Sequence, residues 1–280
     1  ERILLEAPGA LFTGPDGHGG MLAAFDKSGC LGDVRQRGIS HLFYGQIDNP
    51  LLQVCDESFL GSHLLAGSEM TTQVVKKREP LERVGNVVSI DGKVQVIEYS
   101  DLPAEFAQQT NANGSLKLWA GNLAVHAFDV EFLARAARQK NALPFHTAKK
   151  KVPYLDSKGN LIEPEKPNAI RFERFIFDLL PLARHALVVE VDPAEAFAPV
   201  KNSDVEPTDN ARLAKAAMMS QDRRRLRAAG IQIADDVAVE INPLFASSTD
   251  ELKAKLPRNF VVSGATYLSP FSSPPLAPTP

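Results

Sequence analysis

Residues 23–38 read AAFDKSGCLGDVRQRG and residues 39–49 read ISHLFYGQIDN, and the passage from the first to the second decides the fold. The first stretch has the spacing of a short amphipathic helix ending at Gly38. The second is an apolar strand running into acidic and amide residues. A helix feeding a strand is the unit of a parallel sheet, so the class is α/β. In such sheets ligands gather beyond the carboxyl ends of strands, which is where Asp48 and Asn49 fall. Asp-Asn-Pro after a strand is equally the composition of a simple turn.

Working outward, the stretch GPDGHGG at residues 14–20 places four glycines around one aspartate and one histidine. Glycines let backbone N–H groups approach an anion or a flat base closely. The stretch is neither a Walker loop nor a dinucleotide fingerprint, and alone it also reads as a glycine-rich turn. Downstream, GNVVSIDGKVQVIEYSDL (residues 85–102) carries two alternating runs joined by Asp91-Gly92, a strong hairpin signal. VPYLDSKGNLIEP (residues 152–164) predicts a second hairpin, turning at Ser157–Asn160. LKLWAGNLAVHAFDVEFLARAARQ reads as a strand, a small-residue break at Ala120-Gly121-Asn122, and a helix from about Asp129. IRFERFIFDLLPLA is read as an apolar helix, HALVVEV as a buried strand, and DNARLAKAAMMSQDRRRLRAAG as a helix closed by Gly230. The final twelve residues, SPFSSPPLAPTP, contain five prolines and are expected to be extended or disordered.

Composition narrows the functions. The 280 residues are 44% hydrophobic, enough for a large packed domain. A net charge of −3 argues against bulk electrostatic binding to nucleic acid. The basic runs Lys149–Lys151 and Arg223–Arg227 are local and lack an interleaved aromatic platform, so no nucleic-acid partner is expected. No stretch is apolar enough to span a membrane, and the first twenty residues lack the order of a signal peptide. Two cysteines, Cys30 and Cys55, do not make a disulfide framework, so a cytoplasmic location is expected.

Several residues carry chemistry. Glu98 closes a strand, where a carboxylate accepts hydrogen bonds from sugar hydroxyls; the alternative is a cross-strand ion pair. Asn122, among small neighbours, presents an amide to a ligand or simply forms a turn. Asp48 suits Mg²⁺ held against phosphate oxygens. Arg171 and Lys201 supply positive charge, or are solvated surface groups.

The order of segments GPDGHGG, YGQIDNPLLQVCDESFLG, TTQVVKKREPLERVGNVVSIDGKVQVIEYSDL, AGNLAVHAFDVEFL, KKVPYLDSKGNLIEPEKPNAIRFERFIFDLL and EVDPAEAFAPVKN resembles the UDP-N-acetylhexosamine pyrophosphorylases of the UDP-sugar pyrophosphorylase family, over roughly residues 1–230. The resemblance implies a Rossmann-like mixed sheet of the nucleotide-diphospho-sugar transferase type, without its N-terminal strands, with β-hairpin insertions and a small C-terminal α+β region. Residues 1–200 would form the C-terminal portion of the catalytic domain, 201–268 a small domain and 269–280 the proline-rich tail. The implied activity joins UTP to a sugar 1-phosphate, releasing pyrophosphate and forming a UDP-sugar. By resemblance, Gly17 and its neighbours lie against the uracil or ribose and His18 contacts substrate. Asp48 helps hold the metal and phosphates. Gly85, Glu98 and Asn122 are sugar-binding positions, with Asn122 at the N-acetyl region. Phe175 and Phe177 form an aromatic wall, and Lys201 binds phosphate. Lys201, Arg171 and Mg²⁺ would stabilise direct attack of the sugar phosphate on the α-phosphorus of UTP.

The chain departs from that pattern in three places. His18 replaces an amide, as in the Gly-His-Gly of UDP-glucose pyrophosphorylases, leaving open N-acetylglucosamine, glucose or a broad sugar choice. Arg171 replaces a lysine, substituting a planar fork for a point charge. The glycine-rich loop that grips the triphosphate is not found in the 280 residues, so the expected partner is the N-terminal half of the same enzyme, and no turnover is expected without it. A non-catalytic nucleotide-sugar binding module is the alternative.

Overall fold

The computed structural model describes residues 3–234 and 236–271. They divide into two compact units, one of residues 3–45 and 55–190, the other of 46–54 and 191 onward. The second unit therefore starts ten residues before the boundary expected at 200, and it takes in the stretch after the first apolar strand. Most of the proline-rich tail, residues 272–280, lies outside the described residues.

The first unit is built on a six-stranded mixed sheet. Its order is Ala186–Glu190, Met70–Lys76, Ala120–Asp129, Asn86–Ile90, Lys93–Ile97, and His41–Tyr44 shares the far edge of Ala120–Asp129 with Asn86–Ile90. Ala186–Glu190 runs parallel to Met70–Lys76, while the other pairs are antiparallel. Periodicity predicts a strand but not the direction of its neighbour, and His41–Tyr44 meets its partner in an antiparallel register, Tyr44 opposite His126. Met70–Val75 is buried throughout, as a strand covered on both faces must be.

The two predicted hairpins form. Asn86–Ile90 pairs with Lys93–Ile97 around Asp91 and Gly92, both at positive φ as a two-residue primed turn requires. Tyr154–Leu155 pairs with Leu161–Ile162, its turn organised by the Asp156 carboxylate, which accepts from the N–H groups of Lys158 and Asn160.

Three local readings are corrected. The helix expected over residues 23–38 is two helices, Gly20–Lys27 and Cys30–Gln36, because Gly29 adopts φ +82° between them. Ala120-Gly121-Asn122 is the start of a ten-residue strand rather than a break, since small residues suit the close pairing of Gly121 with Asn86. IRFERFIFDLLPLA is a strand, Ala169–Glu173, then a 3₁₀ helix, Ile176–Leu182; Pro181 cannot donate the bond a regular helix needs. The helix after Asp129 forms as expected, with the Asp129 carboxylate accepting from the Phe132 N–H.

The core of this unit gathers Met70, Phe128, Phe132, Leu133, Ile176, Phe177, Leu179 and Leu180, and Val94 and Val96 of the hairpin pack against it. Sheet, 3₁₀ helix and hairpin thus share one apolar centre. In the second unit, the 18-residue helix Ala211–Ala228 packs Leu226 on Ile231, Val239, Ile241, Leu252 and Val262. Two parallel strand pairs, Gln232–Ile233 with Val261–Val262 and Val239–Ile241 with Thr266–Leu268, complete that core.

Candidate functional site

The glycine-rich stretch packs on its own chain. The Gly19 N–H donates to the Arg174 carbonyl at 2.7 Å, and the Arg174 N–H donates to the Asp16 carbonyl at the same distance. A Cβ at Gly17 would overlap the Arg174 carbonyl oxygen, and φ there is +85°. Asp16 and Arg174 pair through their side chains as well. The glycines thus bring His18 down onto the segment 174–177.

His18 is fixed there. The Ile176 N–H donates to its Nδ1 at 3.3 Å, which places the ring proton on Nε2. Its ring centroid lies 5.2 Å from Phe175, 5.5 Å from Phe177 and 6.2 Å from Tyr44. Burial lowers its pKa to about 4, against a smaller opposing pull from Glu173. At neutral pH His18 is therefore an uncharged group with a donor, Nε2–H, to offer.

Gly85, Glu98 and Asn122 converge a short way along the sheet. The Asn122 N–H donates to the Gly85 carbonyl at 2.8 Å. A Cβ on Gly85 would stand 2.7 Å from Val96 Cγ1, 2.9 Å from Glu98 Oε1 and 3.7 Å from Asn122 Cβ, so no other residue fits between them. The Asn122 side chain is oriented by two donors. Its Oδ1 accepts from the Thr72 hydroxyl at 3.2 Å and from the Ala124 N–H at 3.1 Å, where Ala124 has φ +54°. With both acceptor positions occupied, the Nδ2 amide N–H groups are what the side chain has left to donate. The first unit thus carries two donors, the Asn122 amide N–H groups and His18 Nε2–H, and one acceptor, the Glu98 carboxylate.

On the same strand as Asn122 lies His126, opposite Thr72 in the sheet and fully buried. The ring stacks on Tyr44 at 5.8 Å. Burial, with His18 adding to it, pushes its pKa down to about 3. His126, Thr72 and Tyr44 escaped the sequence reading. The usable signal was the strand alternation that carries Asn122 and His126 on the Ala120–Asp129 strand.

Arg171 is near the glycine stretch, its Cδ 3.9 Å from where a Cβ on Gly14 would lie, but its guanidinium is paired with Glu173. Asp48 and Lys201 sit in the second unit. The Val200 N–H donates to the Asp48 carbonyl at 2.8 Å, and the Asn49 amide bridges the Ala196 carbonyl and the Ala198 N–H. Residues 48 and 201 are thereby neighbours although 153 positions apart. Asp48 is half-buried and Lys201 exposed. Among the described residues no group of three or more His, Cys, Asp or Glu is placed to hold a metal ion by itself.

A protein-family model for UTP–glucose-1-phosphate uridylyltransferase matches residues 10–246. UDP-N-acetylhexosamine pyrophosphorylase-like protein 1 of Xenopus tropicalis is 38% identical over 239 residues, 85% of this chain and 47% of that protein. UDP-N-acetylglucosamine pyrophosphorylase of Saccharomyces cerevisiae is 34% identical over 257 residues, 90% of this chain and 54% of that protein. The chain thus spans about half the length of the curated relatives it matches. The structure of the Trypanosoma brucei uridine diphosphate N-acetylglucosamine pyrophosphorylase, solved with an inhibitor, superposes with a TM-score of 0.78 at 26% identity, covering 96% of this chain and 58% of that one. Fold, residue order and the matched span lead to one conclusion: the chain belongs to the UTP–glucose-1-phosphate uridylyltransferase family.

Proposed function

We propose that the chain is the sugar-holding portion of a uridylyltransferase that makes a UDP-sugar and pyrophosphate from UTP and a sugar 1-phosphate, with N-acetylglucosamine 1-phosphate as the preferred sugar. The observation that carries this reading is the convergence of Gly85, Glu98 and Asn122, with the Asn122 carbonyl held by Thr72 and Ala124 so that its amide N–H groups are left to donate. Glu98 accepts hydrogen bonds from hexose hydroxyls, and the Asn122 amide donates to the carbonyl of an acetamido group. Phe175, partly exposed and stacked at 5.0 Å on Phe177 in the core behind it, gives the apolar face of the hexose a flat wall. His18 Nε2–H donates to a sugar or phosphate oxygen without adding charge. Gly17 keeps the loop low enough for that reach, and the loop lies toward the nucleotide.

Transfer of the uridylyl group needs positioning and charge neutralisation more than a general base. Lys201 supplies a phosphate contact and Arg171, if released from Glu173, a second. Mg²⁺ fits the donor set as an ion brought with the triphosphate: a hard cation of this kind takes one or two carboxylates and keeps its waters, and Asp48 offers one such carboxylate with no partner of its own among the described residues. Bound there, the ion would neutralise developing phosphate charge. Lys201 and Asp48 also favour the enzyme reading over a sugar-binding module, which has no use for a phosphate and metal pair. We place the enzyme in the cytoplasm, in keeping with two exposed free cysteines.

Calorimetric titration with UDP-N-acetylglucosamine, UDP-glucose and UDP tests the reading. Binding in that order of affinity is expected, with the preference for the acetylated sugar lost in Asn122→Leu. Equal affinity for all three in the unaltered chain would overturn it. Turnover of UTP with N-acetylglucosamine 1-phosphate by the 280 residues alone would refute the further expectation that the triphosphate grip is supplied from outside them.

A further inference from the structure

His146 was not singled out by the sequence and stands beside the site. It opens the strand His146–Lys150, and its imidazole points between two elements that carry proposed sugar contacts. Its Nε2 is 2.8 Å from Asp178 Oδ2, in the 3₁₀ helix that also holds Phe177. Its Nδ1 is 3.5 Å from Asp101 Oδ2. The Asp101 N–H in turn donates to the Glu98 carbonyl at 3.0 Å, closing the turn on which Glu98 sits. The ring also lies 4.9 Å from Phe175, and the Asp178 N–H donates to the Phe175 carbonyl at 3.2 Å. The contacts run without interruption from Glu98 through Asp101, His146 and Asp178 to Phe175.

We infer that His146 is a positioning residue that fixes the separation between Glu98 and the Phe175–Phe177 wall, and so sets the fit of the hexose without touching it. This rests on the sugar-pocket reading above. An imidazolium between two carboxylates is the charge state such a bridge requires. The charged groups facing it are Asp101 from the turn, Asp178 from the 3₁₀ helix and Glu173 opposite it on the paired strand, the last engaged with Arg171. Burial opposes the charged form, but the bonds to Asp178 and then Asp101 outweigh it and the imidazole pKa is raised. The bridge therefore requires ionised carboxylates and a charged ring: it is lost at low pH as Asp178, whose pKa burial raises, takes up a proton, and it weakens as pH rises through the raised imidazole value.

The test compares affinities for UDP-N-acetylglucosamine and UDP in the unaltered chain, His146→Gln, Asp101→Asn and the double variant. The ratio of the two affinities isolates the sugar. It should fall about tenfold in either single variant and no further in the double, while the affinity for UDP stays within twofold. In the unaltered chain the ratio should decline as pH rises, and in His146→Gln it should be flat. Asp101 is exposed, so Asp101→Asn carries the test if His146→Gln does not fold. An unchanged ratio in the variants overturns the inference, as does equal loss of UDP and UDP-sugar affinity. Failure of the unaltered chain to bind UDP-sugar more tightly than UDP overturns the pocket reading itself, and the inference with it.

Discussion

Gly17 shows how a residue type is dictated by the chain's own geometry. Its positive φ and the Arg174 carbonyl against it both exclude a side chain. Gly29 also has positive φ, +82°, but open space around it. Gly17→Ala should therefore cost about 3 kcal/mol or more, and Gly29→Ala only the left-handed penalty of about 1–2 kcal/mol. Urea denaturation of the two variants checks the difference, and equal costs would mean that the loop moves away from residue 174 freely. His18 and His126 make a second residue-scale prediction. Both are held neutral when folded, at about 4 and about 3, below their usual value of 6.5. The unfolded chain takes up those protons first, so stability is full above pH 6.5 and is lost as pH falls towards 4. In His18→Asn the decline between pH 6.5 and 4.5 should be shallower by the share of one proton, as seen in the urea midpoint followed against pH.

Among the elements, the ends of helices and hairpins were legible and the interiors less so. Asp91-Gly92 marked a turn because only residues that tolerate positive φ fit there, and Asp129 marked a helix start because its carboxylate satisfies a free N–H. The segment IRFERFIFDLLPLA misled because an apolar run of that density suits a buried strand and a buried helix alike, and Pro181 was the sign that a regular helix could not continue. Within the candidate site, Glu98 was legible as a polar group closing a strand and Asn122 as an amide among small residues, although its strand was not. His126 and His146 were not, since their roles depend on partners 54 and 32 positions distant, Thr72 and Asp178 respectively. Asn210 gives the element-scale prediction. It caps the helix Ala211–Ala228, its Oδ1 accepting from the Leu213 N–H and its Nδ2 donating to the Glu206 carbonyl, in a fully buried position. Asn210→Ala should destabilise the chain by about 1–2 kcal/mol, measurable as a lower denaturation midpoint, and Asn210→Asp should recover the cap but not the second bond.

At the scale of the whole molecule, the proposed contacts fall into two sets held by different compact units. The sugar contacts belong to the sheet unit and the Asp48–Lys201 pair to the other. Each set is assembled internally by short hydrogen bonds, Asn122 to Gly85 in one and Val200 to Asp48 in the other. The proposed chemistry divides in the same way, hexose recognition falling to one unit and phosphate neutralisation to the other. The central claim is that the group Gly85, Glu98 and Asn122 holds the sugar. The most direct test is to add UDP-N-acetylglucosamine to the ¹⁵N-labelled chain and follow the Asn122 side-chain amide together with the backbone amides of Gly85 and Gly121. The account predicts that these signals shift in saturable fashion with the sugar nucleotide and much less with UDP. Signals that stay in place while others in the chain respond would show that the sugar is held elsewhere.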